Sequence, residues 1–538
     1  MIVILDYTGY PGPPSQLWIL QYNLWTQDLS GTVLLMVLVV AACFAPARPA
    51  ALALVDSISR HPWRTAGVAF VALCLGTLYI EHNHALAQDE YAALLQSRIF
   101  ASGRLTGLLP PELIPRLIPP FYLNQFVYGS LETGQIASAY WPGFALLLTP
   151  FSLLQAPWAC NPLLASLALV VMSRIASRVS GEPQAAGWAM LIALGSPGFT
   201  AMAISYFSMT AHLLFNLVFV WLLLERTVLR LVLAGVVGSV ALVLHNPVPH
   251  VLFALPWIAW LAMQPGRIRH LLALAAGYAP LALALGLGWA LLLSTIQGDA
   301  LIGLFPSDHN PFHRLANFFW GWHIKLRSAL AGPADDILST RSAELVRLWA
   351  WAVPGLPLLA AAGWWLARRD ARAGLMALSM VTTFTGYLFV SFTQGHGWGA
   401  RYLHPAWGVL PVLAAIALVR VRAAGGSDAM LRYIATLAIL SLVFATSLRA
   451  VQIHDYIDRH LANRPAALPG MRQIVFVTLD WNRYTADLVQ NDPFLRGEVW
   501  YMLSGGAKRD AGFMRARFPG ARIAHSDRRG QVWQLDPP

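Results

Sequence analysis

Two acidic residues, Asp89 and Glu90, head the segment Gln88-Asp89-Glu90-Tyr91-Ala92-Ala93-Leu94-Leu95, in which apolar residues at 91, 94, 95 and 99 recur at helical spacing until Gly103 supplies a stop. A carboxylate in that place has two compatible roles. It can act as a helix N-cap that accepts backbone N–H bonds, or as a water-facing base that takes the proton of an acceptor hydroxyl. Just upstream, Glu81-His82-Asn83-His84 offers imidazoles beside the carboxylates of Glu81, Asp89 and Glu90, a donor set suited to a divalent zinc or manganese ion. Against a metal stands the spacing of His82 and His84. Two residues apart at a helix end, their rings point away from each other, whereas ligating histidines on a helix are usually four apart.

The second constellation is Gln394-Gly395-His396-Gly397-Trp398-Gly399-Ala400-Arg401-Tyr402. Three glycines and an aromatic residue before Arg401 make a tight turn that aims a guanidinium, whose planar fork suits bidentate phosphate recognition. Arg and Trp also serve as plain interfacial anchors. Arg98, Arg104, Arg116, Arg314, Lys325 and Arg327 add positive charge to the same side, where they form a lipid-phosphate site or touch headgroups. A third group, Ser205-Tyr206-Phe207-Ser208-Met209-Thr210-Ala211-His212, puts His212 at a helix end, where a satisfied structural histidine competes with a substrate-binding one. The turn His245-Asn246-Pro247 with Pro249-His250 is explained by its helix-breaking prolines. No Gly-x4-Gly-Lys-Ser/Thr loop and no Asp-x-Asp pair occurs, so neither ATP hydrolysis nor a metal-held soluble nucleotide sugar has a residue basis.

The elements that must hold these residues are membrane helices. Of 538 residues 57% are hydrophobic and only 12% charged, with mean hydropathy +0.55, which excludes a soluble enzyme. Continuous apolar runs, in place of ~10-residue alternating segments, exclude a transmembrane β-barrel. The net charge of +11 does not indicate nucleic acid, because the arginines punctuate apolar runs and form no stripe with interleaved aromatics. They mark the cytoplasmic side instead. Placing the clusters around Arg60, Arg174, Arg226, Arg267, Arg368 and Arg420 inside predicts about 12 transmembrane helices, near 30–46, 65–82, 160–178, 185–203, 208–224, 229–246, 249–264, 271–294, 346–366, 374–392, 404–419 and 433–450. Both termini then lie outside. The apolar stretch 140–157, with Pro142, Pro150 and Pro157, does not fit that count, and reads as a helix on or re-entering the outer interface.

The segments 83–140, 295–345 and 451–538 therefore lie outside, and loops of such length are usually functional. The helix from residue 88 is expected on the membrane surface. The organisation predicted is a transmembrane domain, 1–450, carrying the outer loops 83–140 and 295–345, and a small extracytoplasmic α/β domain, 451–538. In that domain strands fall at 474–479, 499–503 and 532–535, with a helix near 508–518.

These residues resemble a known group, the GT-C membrane glycosyltransferases, and in particular the bacterial relatives of protein mannosyltransferases and aminoarabinose transferases. The likeness rests on Asp89-Glu90-Tyr91 and the helix ending Ser102-Gly103-Arg104, on Tyr140-Trp141-Pro142-Gly143, on Ser196-Pro197, and on Gly399-Ala400-Arg401-Tyr402-Leu403 with Pro405. It spans most of 65–450. The resemblance implies an inverting transfer from a polyprenyl-phosphate sugar to a cell-envelope acceptor on the outer side of the bacterial inner membrane. Asp89 is then the catalytic base with Glu90 beside it, and His212 is the nearest counterpart of a polar residue in the second outer turn. Relatives often carry a basic residue just before the interfacial helix. Gln135 stands there, which leaves the donor phosphate ligand open among Arg401, Arg116 and Arg98, with Tyr140 and Tyr402 as further substrate contacts. The resemblance assigns no cofactor, and a divalent metal at His82 and His84 is the alternative. The competing class is a polytopic transporter or lipid-linked-sugar flippase, whose signs are an internal repeat, broken helices at mid-membrane and ionisable residues within spans. Here most charges sit at span ends.

Overall fold

The computed structural model describes residues 17–44, 49–297, 304–306, 310–331, 334–390 and 393–535. Among these, four helices are long and apolar enough to cross a membrane: Ile19–Phe44, Pro157–Ser180, Arg267–Gln297 and Asp428–Leu461. Two more pairs qualify together but are bent, Gln184–Leu194 with Pro197–Ile204 by 69° and Arg401–Trp407 with Val409–Ala423 by 48°. The first bend has a local cause, since Ser196-Pro197 puts a proline in the first turn of the second helix, where a missing N–H costs nothing, and the second falls at Gly408. Shorter apolar helices such as Pro62–Tyr79, Met209–Leu223, Val228–Leu242, Val248–Ala262 and Ala371–Leu388 occupy the other expected spans. The predicted span 346–366 does not form as one piece. It breaks between Ala334–Ala350 and Leu356–Leu366, where Pro354 and the left-handed Gly355 end the run.

Helix contacts use small residues. Where Val228–Leu242 crosses Arg267–Leu281, a Cβ on Gly235 would lie 2.2 Å from the Leu274 carbonyl oxygen and one on Gly277 2.0 Å from that of Val232. Only glycine lets the two backbones come this close, and small residues at such crossings replace the hydrophobic drive that is missing inside a lipid.

The first long loop, 83–140, is more structured than its sequence suggests. Helix Gln88–Ala101 is buried on almost every face. It packs against Gly143–Leu153, the helix of the 140–157 stretch, where the hydroxyls of Ser97 and Ser152 meet at 2.8 Å. The expectation of an amphipathic helix lying on the membrane surface is therefore corrected: its polar side is covered by protein. Part of the cover is a three-stranded antiparallel sheet of β1 (Gly107–Leu108), β2 (Val127–Gly129) and β3 (Gln135–Ser138), with β3 central. Strands this short carry too little alternation to be read from sequence.

The last helix runs on to Leu461, past the predicted boundary at residue 450, and leads into a four-stranded sheet. Its strands are β4 (Gln473–Val477), β5 (Val499–Leu503), β6 (Arg522–Asp527) and β7 (Gly530–Gln534), in the order β5-β4-β7-β6. β4 and β5 pair in parallel, while β6 and β7 form a hairpin. Three strands and the helix Ala507–Arg517 match the sequence expectation. The exposed edge strand β6, with its arginine, histidine and aspartate, escaped it for want of apolar residues.

Two parts distant in sequence are bolted together in this region. The Tyr91 hydroxyl donates to the Asn491 carbonyl oxygen at 2.6 Å and accepts from the Asn491 N–H at 2.8 Å. The Leu108 N–H donates to the Pro493 carbonyl oxygen at 3.1 Å, and Gln490 donates to that of Ala85 at 2.6 Å.

Candidate active site

The carboxylate singled out at the head of the first-loop helix faces the arginine after the glycine run. Arg401 Nη1 donates to Asp89 Oδ2 at 2.7 Å, with side-chain exposures of 6% and 14%. The loop holds the guanidinium in place. Its Nη2 donates to the Gln394 carbonyl oxygen, the Arg401 N–H donates to Gln394 Oε1 at 3.0 Å, and Gln394 Nε2 donates to the Gly399 carbonyl oxygen at 2.9 Å. Such a tight wrap needs left-handed backbone at Gly395, Gly397 and Gly399, with φ of 65°, 124° and 57°. The guanidinium lies 4.3 Å over the Phe207 ring and 5.6 Å from that of Tyr402. A cation fixed between an aromatic face and a backbone carbonyl keeps its remaining donors aimed one way, towards Asp89.

The N-cap is Ala87, and the side chain that reaches back to it is Glu90. Glu90 Oε2 accepts from the N–H groups of Leu86 at 2.9 Å and Ala87 at 3.1 Å, and Oε1 accepts from the Tyr206 N–H at 2.7 Å. Burial pushes the Glu90 carboxyl well above the ordinary range, and the neighbouring charges of Glu81 and Asp89 add to this. The capping role considered for Asp89 thus belongs to its neighbour, whose Oε2 caps the helix while its Oε1 ties the loop to the 205–207 turn. Asp89 is left with its carboxylate turned to Arg401.

Tyr140 stacks on His245, ring centroids 3.7 Å apart, and burial followed by the Asp89 charge pushes its phenol well above the usual value. Tyr402 stacks on Tyr387 at 5.2 Å, and Arg341 lies 5.9 Å from the Tyr402 ring. Both tyrosines lie beside the Asp89–Arg401 pair. The other candidates do not converge on it. Arg116 donates to Asp510 Oδ1 at 2.8 Å and lies over Phe513 at 4.5 Å, so it fastens the C-terminal sheet domain to the first loop. Arg98 is exposed in the last turn of its helix. His212 is fully enclosed in the first turn of Met209–Leu223, neither ring nitrogen having a hydrogen-bond partner among the described residues. His82 and His84 part company: His82 meets Asp458 at 3.1 Å, while His84 faces the ring of His460 at 6.3 Å.

Sequence reasoning missed Arg341, Tyr387 and the stacking role of His245, which lie far along the chain and carry no local signal. Gln394 had one, an amide opening a run of three glycines that need a backbone partner.

No protein-family model matches the sequence, and no curated protein matches it. At the level of structure, the chain is similar to the ArnT from Cupriavidus metallidurans bound to undecaprenyl phosphate, with 15% identity, a TM-score of 0.52, and coverage of 88% of this chain and 99% of that one. The same protein in the apo state matches with a TM-score of 0.48, 15% identity and the same coverage. At this identity the comparison speaks for the fold. The chain shares the fold of that solved protein and covers 99% of its length.

Proposed function

We propose that this chain is an integral membrane glycosyltransferase that moves a hexosyl or pentosyl group from a polyprenyl-phosphate donor to a lipid, glycan or protein acceptor at the outer face of a bacterial cytoplasmic membrane. The observation that carries the proposal is the enclosed Asp89–Arg401 pair, a base and an anion ligand 2.7 Å apart, within a fold shared with a transferase solved with undecaprenyl phosphate. The twelve-span topology with the first loop and the C-terminal domain outside belongs to the same proposal. It puts the pair at the membrane edge, where a lipid chain can lie between helices while its head reaches the loops.

In the transfer, the acceptor hydroxyl oxygen bonds to the anomeric carbon as the bond from that carbon to the phosphate oxygen breaks. The electron pair leaves with the polyprenyl phosphate, and a single displacement inverts the centre. Asp89 takes the hydroxyl proton. Arg401 faces the charge that grows on the phosphate, where a fixed donor in an enclosed site acts most strongly. Arrival of the donor phosphate exchanges the Arg401–Asp89 bond for an Arg401–phosphate one, which releases the base only when there is something to activate. Glu90 keeps the backbone under Asp89 in place.

The test compares envelope glycolipids by mass spectrometry in cells with wild type, no copy, and Asp89→Asn at matched membrane abundance. Accumulation of one sugar-loaded polyprenyl phosphate, with loss of one glycosylated product, is expected in both defective strains. A wild-type profile from Asp89→Asn beside a phenotype of the deletion overturns the proposal in favour of a transporter or flippase.

A further inference from the structure

We infer that His82, His454 and Asp458 form a binding site for a zinc-class divalent cation, separate from the Asp89–Arg401 pair. The ring nitrogens of the two histidines and a carboxylate oxygen of Asp458 all lie within 4.8 Å of one another. His82 Nε2 is 3.1 Å from Asp458 Oδ1, and His454 Nδ1 is 3.5 Å from Asp458 Oδ2. Ligands at the usual zinc distances, at the corners of a tetrahedron, stand about 3.3 Å apart.

Three features favour an ion over a plain hydrogen-bonded cluster. First, the short contact of His82 Nε2 is not a hydrogen bond: that nitrogen is out of reach of water and has no hydrogen-bond partner among the described residues. A shared ion would give that nitrogen the partner it lacks. Second, His454 and Asp458 are four residues apart on one helix, Thr446–Leu461, which puts both on one face and leaves the third ligand to another element. Third, the ring of His82 is brought there by two successive non-glycine residues in left-handed backbone, His82 at φ 53° and Asn83 at φ 51°. Such conformations are strained and persist where something compensates. The chemistry of the donors selects the ion class. Two imidazoles and one carboxylate suit zinc and its borderline neighbours, whereas calcium and magnesium take oxygen ligands. Water fills the fourth position.

The ion would clamp the outer end of helix Asp428–Leu461 to the turn following helix Pro62–Tyr79. Glu81, one residue before His82, accepts from Trp398 Nε1 at 2.7 Å, so the clamp also bears on the loop that carries Arg401.

The test uses the full-length chain in detergent, purified without a histidine tag, stripped with chelator and titrated with Zn2+ and with Co2+. Wild type and Asp89→Asn are expected to hold one Zn2+ per chain by elemental analysis, and to give the visible absorption of tetrahedral Co2+. His82→Ala, His454→Ala and Asp458→Asn are expected to weaken binding at least tenfold, and His84→Ala to leave it unchanged. Absence of micromolar binding by wild type, or wild-type binding by His454→Ala and Asp458→Asn, overturns the inference. Those two residues lie on a partly exposed helix face, so they decide the matter even if His82→Ala does not accumulate.

Discussion

Adjacent carboxylates in the first outer loop have opposite surroundings. Glu90 spends both oxygens on three backbone N–H groups and is buried, whereas Asp89 faces one guanidinium at the edge of solvent. Glu90→Gln must turn an NH2 group towards backbone donors, which leaves buried N–H groups unsatisfied at a cost of about 1–3 kcal/mol. Chemical unfolding is expected to report that loss, with reduced accumulation in the membrane. Asp89→Asn keeps an acceptor for Arg401 and is expected to accumulate normally while losing about 10²–10⁴-fold in transfer rate, the usual share of a general base. A stable but inactive Glu90→Gln beside an unstable but active Asp89→Asn would exchange the roles of cap and base. The sequence made the carboxylates and Arg401 visible through residue type and glycine spacing. It did not separate the cap from the base, because that depends on where the turn at Tyr206 lies in space.

At the scale of elements, apolar length located helices at the expected spans but not the polar-bearing helices Pro49–Arg60 and Pro311–Leu330, and failed where a helix is interrupted by chain geometry or where a strand is too short to alternate. The interruption at Pro354 and Gly355 divides what composition alone joins, and the small sheet of β1, β2 and β3 leaves no periodic trace. Tight helix crossings are equally invisible, since a glycine within an apolar run reads as filler. Gly277→Ala puts a methyl 2.0 Å from the Val232 carbonyl oxygen, so the helices must separate. A loss of about 1–3 kcal/mol, the usual cost of overpacking, is expected. Lower thermal stability of Gly277→Ala in detergent, beside an unchanged Gly288→Ala, whose added methyl meets nothing within 4 Å, checks it.

For the whole molecule, the seam between the glycine-rich loop and the C-terminal sheet region carries an opposed pair of titrating groups. His396 Nε2 and Asp487 Oδ2 are 3.6 Å apart. Burial holds the His396 ring well below 6.5 and the Asp487 carboxyl well above 3.8. For His396 the unfolded chain binds the extra proton, and stability falls as pH drops below about 6.5. For Asp487 the folded chain keeps the extra proton, and stability falls as pH rises above about 3.8. The two slopes oppose each other between those values. Thermal unfolding across pH is expected to show the loss on the acid side shrink in His396→Gln and the loss on the alkaline side shrink in Asp487→Asn. Unchanged profiles would remove the pair from the seam's energetics. The double hydrogen bond between Tyr91 and Asn491, 400 positions apart, bears on how the protein is made. Ribosomes release the first outer loop long before the sheet that receives it exists. The helix bearing Asp89 must therefore wait unclasped until translation is nearly over, and a chain cut short after Leu461 never gains the partner of Tyr91.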